Sequence, residues 1–193
     1  MKLTKTSIVV VALAVAAGSQ AITIATFSDP ALDGSTPMFT IGGGSISGSW
    51  NGNGLNLLTP GLAGADVMNA KMNMAPVALT VLGPGAYSAG AGQIDFTDSS
   101  NALVFRINFN SALVVPTNFG SSEFFGSNIS FSDASGVLPL SQETFSFSFA
   151  NPMMMGSNLT YTAAFTSSAV PEPGTMIALA AGAAGFLARR RRK

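Results

Sequence analysis

A two-residue hydrophobic period recurs through the middle of this chain and restricts its fold more than any other feature. Leu103, Phe105, Ile107 and Phe109 fall on one side while Arg106, Asn108 and Asn110 fall on the other. Phe145, Phe147 and Phe149 alternate with Ser146 and Ser148, and Leu159, Tyr161, Ala163 and Phe165 alternate with Thr160, Thr162 and Thr166. Val77, Leu79 and Val81, and Ile46, Gly48 and Trp50, make shorter stretches of the same kind. Successive side chains of a strand point to opposite faces, so this pattern buries one face and wets the other. Between residues 22 and 170 no amphipathic 3.6-residue period is sustained, apart from a weak stretch from Asp66 to Met74. Asp33-Gly34, Gly42-Gly43-Gly44, Asn51-Gly52-Asn53-Gly54, Gly83-Pro84-Gly85 and Ser135-Gly136 punctuate the strands as turns. The expected fold is all-β, a β-sandwich with a jelly-roll-like arrangement. A β-helix is the alternative, and the lack of a fixed-period repeat counts against it.

The chain has no Cys, so the core must hold without disulfides, and its apolar faces are rich in Phe. Each buried ring contributes on the order of 2 kcal/mol against chain entropy. The outward faces carry Ser, Thr and Asn rather than Lys or Glu, which leaves edge strands with few charged gatekeepers and makes self-association an expectation.

Both ends are targeting segments. Lys2 and Lys5 precede an apolar run from Ile8 to Ala17, then Gly18, Ser19, Gln20 and Ala21. A basic start, a short apolar run and small residues at Ser19 and Ala21 form a signal peptide over residues 1–21, with signal peptidase cutting after Ala21. An uncleaved anchor is the alternative, but ten apolar residues are too few to span a bilayer comfortably. At the other end Val170-Pro171-Glu172-Pro173-Gly174 leads into an apolar stretch from Thr175 to Ala188 and the cluster Arg189, Arg190, Arg191, Arg192 and Lys193. As a helix those residues rise about 21 Å, short of the roughly 30 Å hydrocarbon core, so snorkelling arginines and local thinning make up the difference. The basic cluster holds the C-terminus in the cytoplasm, while the signal peptide has exported everything before the helix. Pro171 and Pro173 stop the helix from running outward and leave Glu172 extended and accessible.

Pro171-Glu172-Pro173, an Ala/Gly/Leu-rich helix and a terminal Arg cluster, in that order, resemble the PEP-CTERM sorting tail, here residues 171–193. That resemblance implies recognition by an exosortase, a membrane-embedded cysteine transpeptidase, and processing near Pro171, Glu172, Pro173 and Gly174. It also implies delivery to the surface or extracellular matrix of a bacterium that secretes exopolysaccharide. The same tail also goes by the label of ice-binding protein C-terminal domain, which transfers no ice-binding activity. Ala178 with Gly182, and Ala181 with Gly185, let another helix approach the tail closely. An ordinary single-pass anchor with a coincidental Pro-Glu-Pro is the competing account.

The passenger domain, residues 22–170, holds Lys71 and Arg106 against Asp29, Asp33, Asp66, Asp95, Asp98, Glu123, Asp133 and Glu143, a net charge of −6. Such a surface is a poor partner for nucleic acid. With neither Cys nor His, the chain has no Ser/His/Asp triad, Cys/His pair or His-ligated zinc pattern. No nucleotide-binding glycine string occurs, and no cofactor is expected. Asp95, Asp98, Glu123, Asp133 and Glu143 leave a carboxylate glycoside hydrolase formally open, against the plainer account of solvated turn acids. Asp29 and Asp33, beside Ser28, Gly34 and Ser35, are oxygen donors for calcium or simply a turn. Met68, Met72 and Met74, or Met153-Met154-Met155, are thioether donors for copper or apolar filling. Trp50 with Asn51 and Asn53 is a sugar platform or a core residue. The leading expectation is a non-enzymatic, structural or adhesive surface protein. A lectin-like module for exopolysaccharide is the alternative.

Overall fold

The computed structural model describes residues 20–31, 36–116 and 122–171. Among them the chain forms β1 (Ile22–Phe27), β2 (Phe39–Gly42), β3 (Ser45–Trp50), β4 (Lys71–Gly83), β5 (Ala86–Ala89), β6 (Gly92–Thr97), β7 (Leu103–Val115), β8 (Ser122–Asp133), β9 (Gly136–Val137), β10 (Leu140–Met155) and β11 (Asn158–Pro171). No described helix is long and apolar enough to cross a membrane. The signal segment through Ser19 and the tail from Glu172, with its helix at 175–188 and cluster at 189–193, lie outside the described residues.

Every ladder is antiparallel. β2, β3, β4, β6, β7, β8, β10 and β11 pair in that order, and β11 returns to β2, so these eight strands close into a ring. β5 and β6 act as one strand broken near Gly90. Leu79↔Ala89 and Lys71↔Thr97 share one register along β4, as Ala89↔Ala112 and Gly92↔Phe109 do along β7. β1 and β2 likewise share one edge of β11, at its two ends.

The all-β expectation holds, and the two packed faces of strand are those of a sandwich whose layers are continuous at both edges. Its jelly-roll version does not hold. A jelly roll crosses between layers, whereas here each of the eight ring strands pairs with the next ring strand along the chain, the up-and-down order of a small filled barrel. The physical reason lies in the connections. Gly43 and Gly44, at φ 58° and 74°, supply the positive angles a two-residue hairpin requires, and Gly156, at φ 65°, opens another between β10 and β11. Turns this short return the chain to the adjacent strand. The β-helix alternative, built of parallel coils, is also excluded by the antiparallel ladders.

Phenylalanines from opposite walls meet inside. Phe96 on β6 lies 5.2 Å from Phe165 on β11 and 6.0 Å from Phe27 on β1, ring centre to ring centre. Phe147 lies 4.8 Å from Phe165 and 4.9 Å from Phe39. Such tilted and edge-on pairs suit the ring quadrupoles and add to the gain from burial. Most apolar side chains point in and most Ser, Thr and Asn point out, with Thr59, Thr160, Thr162 and Ser167 buried as exceptions, the inverse of a barrel that faces lipid.

Three buried polar atoms among the described residues lack a hydrogen-bond partner, Trp50 Nε1, Thr59 Oγ1 and the Tyr161 hydroxyl. Tyr161 is 1 % exposed and stacked on Phe149 at 4.8 Å, and its hydroxyl has no hydrogen-bond partner among the described residues. Burial, with Tyr87 nearby, pushes the phenol up to about 12. The folded state therefore holds the proton that the unfolded chain loses near pH 10, so this contribution is intact at neutral pH and lost as pH rises through about 12. Tyr161→Phe is expected to raise stability by about 1 kcal/mol at pH 7 and to blunt the alkaline loss, because it deletes an unpaired buried hydroxyl. Melting temperatures at pH 7 and pH 11 check this, and a less stable variant at pH 7 contradicts it.

Candidate sorting site

Register fixes the direction of every strand and brings the start of β1 and the end of β11 to one end of the barrel. Ile22 pairs with Ala169 at the start of β1, and Leu140 pairs with Pro171 at the end of β11. The β3–β4 connection, the turn at Asp98 and the turn at Asp133 share this tail end. The β2–β3, β4–β5 and β10–β11 hairpins lie at the far end.

At the tail end β11 is held on both edges. Ser167, 1 % exposed, accepts the Ala25 N–H at 3.0 Å and donates to the Ala25 carbonyl at 3.0 Å, stitching β1 where its register shifts. On the other edge the Ser141 hydroxyl donates to the Val170 carbonyl at 3.3 Å. Between Ser141 and Thr144 β10 bulges, with Gln142 at φ 53°, and only Val170 and Pro171 pair beyond that bulge. Ala169 is fully buried and Val170 nearly so. The strand thus runs directly into Pro171, the first residue of the Pro-Glu-Pro triplet, with no linker between barrel and motif. Glu172, Pro173, Gly174 and Arg189, Arg190, Arg191, Arg192 and Lys193 lie outside the described residues. Ala21 is exposed, one residue before β1.

Three of the five candidate carboxylates, Asp95, Asp98 and Asp133, are engaged in local structure. Arg106 donates from Nε to Asp95 Oδ1 at 2.6 Å and from Nη2 to Oδ2 at 2.9 Å, across the β6–β7 ladder. This hydrogen bonding holds the guanidinium still more firmly protonated than usual. Asp98 accepts from the Ser100 hydroxyl at 2.7 Å and from the Ser100 and Ala102 N–H groups at 2.8 and 2.9 Å. The Ser100 hydroxyl, followed by the Ala102 N–H, holds its carboxyl below the usual range. Asp133 repeats the arrangement, with the Ser135 hydroxyl as the main cause of its lowered pKa. Glu143 is half-buried on β10, and no side-chain geometry is described for Glu123. Two grooves in the outer wall, of about 350 and 270 Å³, have no carboxylate in their lining.

The other candidates also separate. Asp29 accepts the Ala31 N–H at 3.0 Å through one oxygen and the Thr162 hydroxyl through the other, which fastens its loop to β11. Asp33, Gly34 and Ser35 lie outside the described residues, and no cluster of acids able to hold a metal ion occurs among the described ones. Met72 and Met74 are buried in the core while Met68 is 63 % exposed, so these three thioethers do not share a face. Trp50 is 5 % exposed, on the same buried face of β3 as Ile46, which bears out the core reading over the sugar platform: a stacking ring must offer its face to solvent.

No curated protein matches the chain, and no solved structure does. Residues 169–192 match the family model described as the PEP-CTERM protein-sorting motif, which implies exosortase-dependent sorting to the cell surface.

Proposed function

We propose that this chain is an exported, non-enzymatic surface protein whose barrel has a structural or adhesive role. The signal peptide, residues 1–21, carries it across the inner membrane. The helix at 175–188 then holds it there transiently, with Arg189 to Lys193 inside, until an exosortase acts at Pro171, Glu172, Pro173 and Gly174. The observation that carries the reading is the merger of strand and motif: Ala169, Val170 and Pro171 belong both to β11 and to the matched segment. The barrel is therefore passenger and tail support at once. The described Asp side chains, occupied in turns and an ion pair, favour a structural role over hydrolysis.

Fractionation followed by mass spectrometry tests this. Protein released at the surface is expected to begin at Ile22 and to lack Thr175 to Lys193. Intact chain persisting in the inner membrane defeats the processing step.

A further inference from the structure

We propose that the far end of the barrel is a homotypic contact surface, on which a second copy of this chain docks through the tips of the β4–β5 and β10–β11 hairpins. At those tips Val81 and Leu82 are 69 % and 61 % exposed, and Met153, Met154 and Met155 are 42 %, 64 % and 51 % exposed. Neighbouring residues of one strand point to opposite faces, so exposure of consecutive residues means that each hairpin stands clear of the barrel as a two-sided apolar ribbon. The glycine turn of the β2–β3 hairpin lies between the two ribbons. Met154 pairs with Leu159, Leu159 with Ile41, Ile41 with Ile46, and Ser45 with Ala78. Clustered exposed apolar side chains mark an interaction surface, and methionine adapts its shape to a partner.

Charge identifies the partner. No charged residue occurs in the segments 36–50, 72–94, 107–116 and 144–171, which supply these tips and the wall beneath them. By register Asp29, against Thr162, lies below the β10–β11 tip, and Glu123, opposite Ser148, lies below that tip but, paired with Val115, is level with the β4–β5 tip. A homotypic contact sets a surface against itself, so any net charge on it meets the same charge. The far end, where Glu123 is the one acid that register places level with a tip, meets the least of that repulsion, while the tail end, with acids that include Asp98, Asp133 and Glu143, repels its own copy. A lipid surface recruits apolar tips together with basic residues, and these tips have none. The closed ring leaves little edge for strand addition, so side chains make the contact. Several weak contacts of this kind gain strength together where copies are crowded. This proposal deepens the adhesive reading, since it joins copies on facing surfaces, but does not depend on tail processing.

The absence of cysteine makes the test direct. Leu82→Cys, Met154→Cys and, at the tail-end turn, Ala134→Cys are made in the full chain, and the exported protein is oxidised mildly and run on non-reducing gels. Covalent dimers are expected from Leu82→Cys and Met154→Cys and not from Ala134→Cys. Adding Val81→Asp to Met154→Cys is expected to abolish the dimer while the β-sheet circular dichroism stays unchanged. No dimer from either tip variant, or equal dimer from Ala134→Cys, overturns the proposal. Co-sedimentation with phosphatidylcholine vesicles that removes the dimer also overturns it, in favour of lipid. Because the readout is a cross-link, it succeeds or fails whether or not the tail is processed.

Discussion

Phe147→Ala is expected to cost about 3–5 kcal/mol of folding stability, the range for deleting a buried aromatic ring. Phe147 is fully buried at mid-strand in β10, and its ring meets Phe39 at 4.9 Å, Phe165 at 4.8 Å, Phe145 at 6.0 Å and Phe27 at 6.3 Å. Those partners come from β2, β11, β10 and β1, the strands around the closure between the last strand and the first. Removing the ring leaves a cavity where the ladder with the greatest sequence separation forms, and other rings cannot fill it without breaking their own packing. Domains commonly have only about 5–15 kcal/mol in reserve, and this one has no disulfide to limit its unfolded state. Urea denaturation of the exported protein checks the loss. Phe147→Leu is expected to recover most of it, and Ser146→Ala, on the outward face, to stay within about 0.5 kcal/mol. A Phe147→Ala protein within 1 kcal/mol of the parent means that the ring is not the hub its contacts suggest.

The strands around Phe147 were legible because alternation is a local signal. Phe145, Phe147 and Phe149 announce an inward face in any β architecture, and so do Ile46, Gly48 and Trp50, which already placed Trp50 inside. Strand neighbours are a different matter. Periodicity is identical whether β11 pairs with β10 alone or also with β2, and the closing pair Tyr161↔Phe39 joins residues far apart in the chain. The jelly-roll expectation failed at that step. Short glycine turns favour neighbour pairing, but they leave the closure of the ring unspecified.

The same limit explains the candidate site residues. Asp95 and Arg106 were visible as an acid and a base, but their ion pair follows from β6–β7 register, which composition does not carry. Asp29 was visible as an oxygen donor, but its partner Thr162 lies on the last strand. The tail was legible because its parts are contiguous: a triplet, an apolar run and a basic cluster are read along the chain, without folding it. What the sequence left out was the support, namely that Pro171 ends a strand pinned by Ser141 and, two residues earlier, by Ile22.

That support sets the expectation for Glu172→Gln. Glutamine keeps the size of glutamate and removes its charge, so the substitution tests recognition without perturbing the barrel, whose last strand ends one residue earlier. A hydrogen bond to a charged group is worth about 1.5–3 kcal/mol, so an enzyme that reads this carboxylate is expected to process the variant roughly ten- to a hundredfold more slowly. Full-length chain then accumulates in the inner membrane and surface release falls accordingly, as pulse-chase labelling of both fractions will show. Asp98→Asn removes an acid at the same end of the barrel, in a turn rather than the motif, and is expected to leave processing unchanged. If Glu172→Gln is released at the parental rate, the carboxylate is not what the processing enzyme reads. Deleting Arg189 to Lys193 separates the two halves of the tail: it removes the membrane stop while leaving Pro171, Glu172 and Pro173 intact. Loss of membrane retention in that deletion, beside retention without release in Glu172→Gln, assigns holding to the basic cluster and recognition to the triplet.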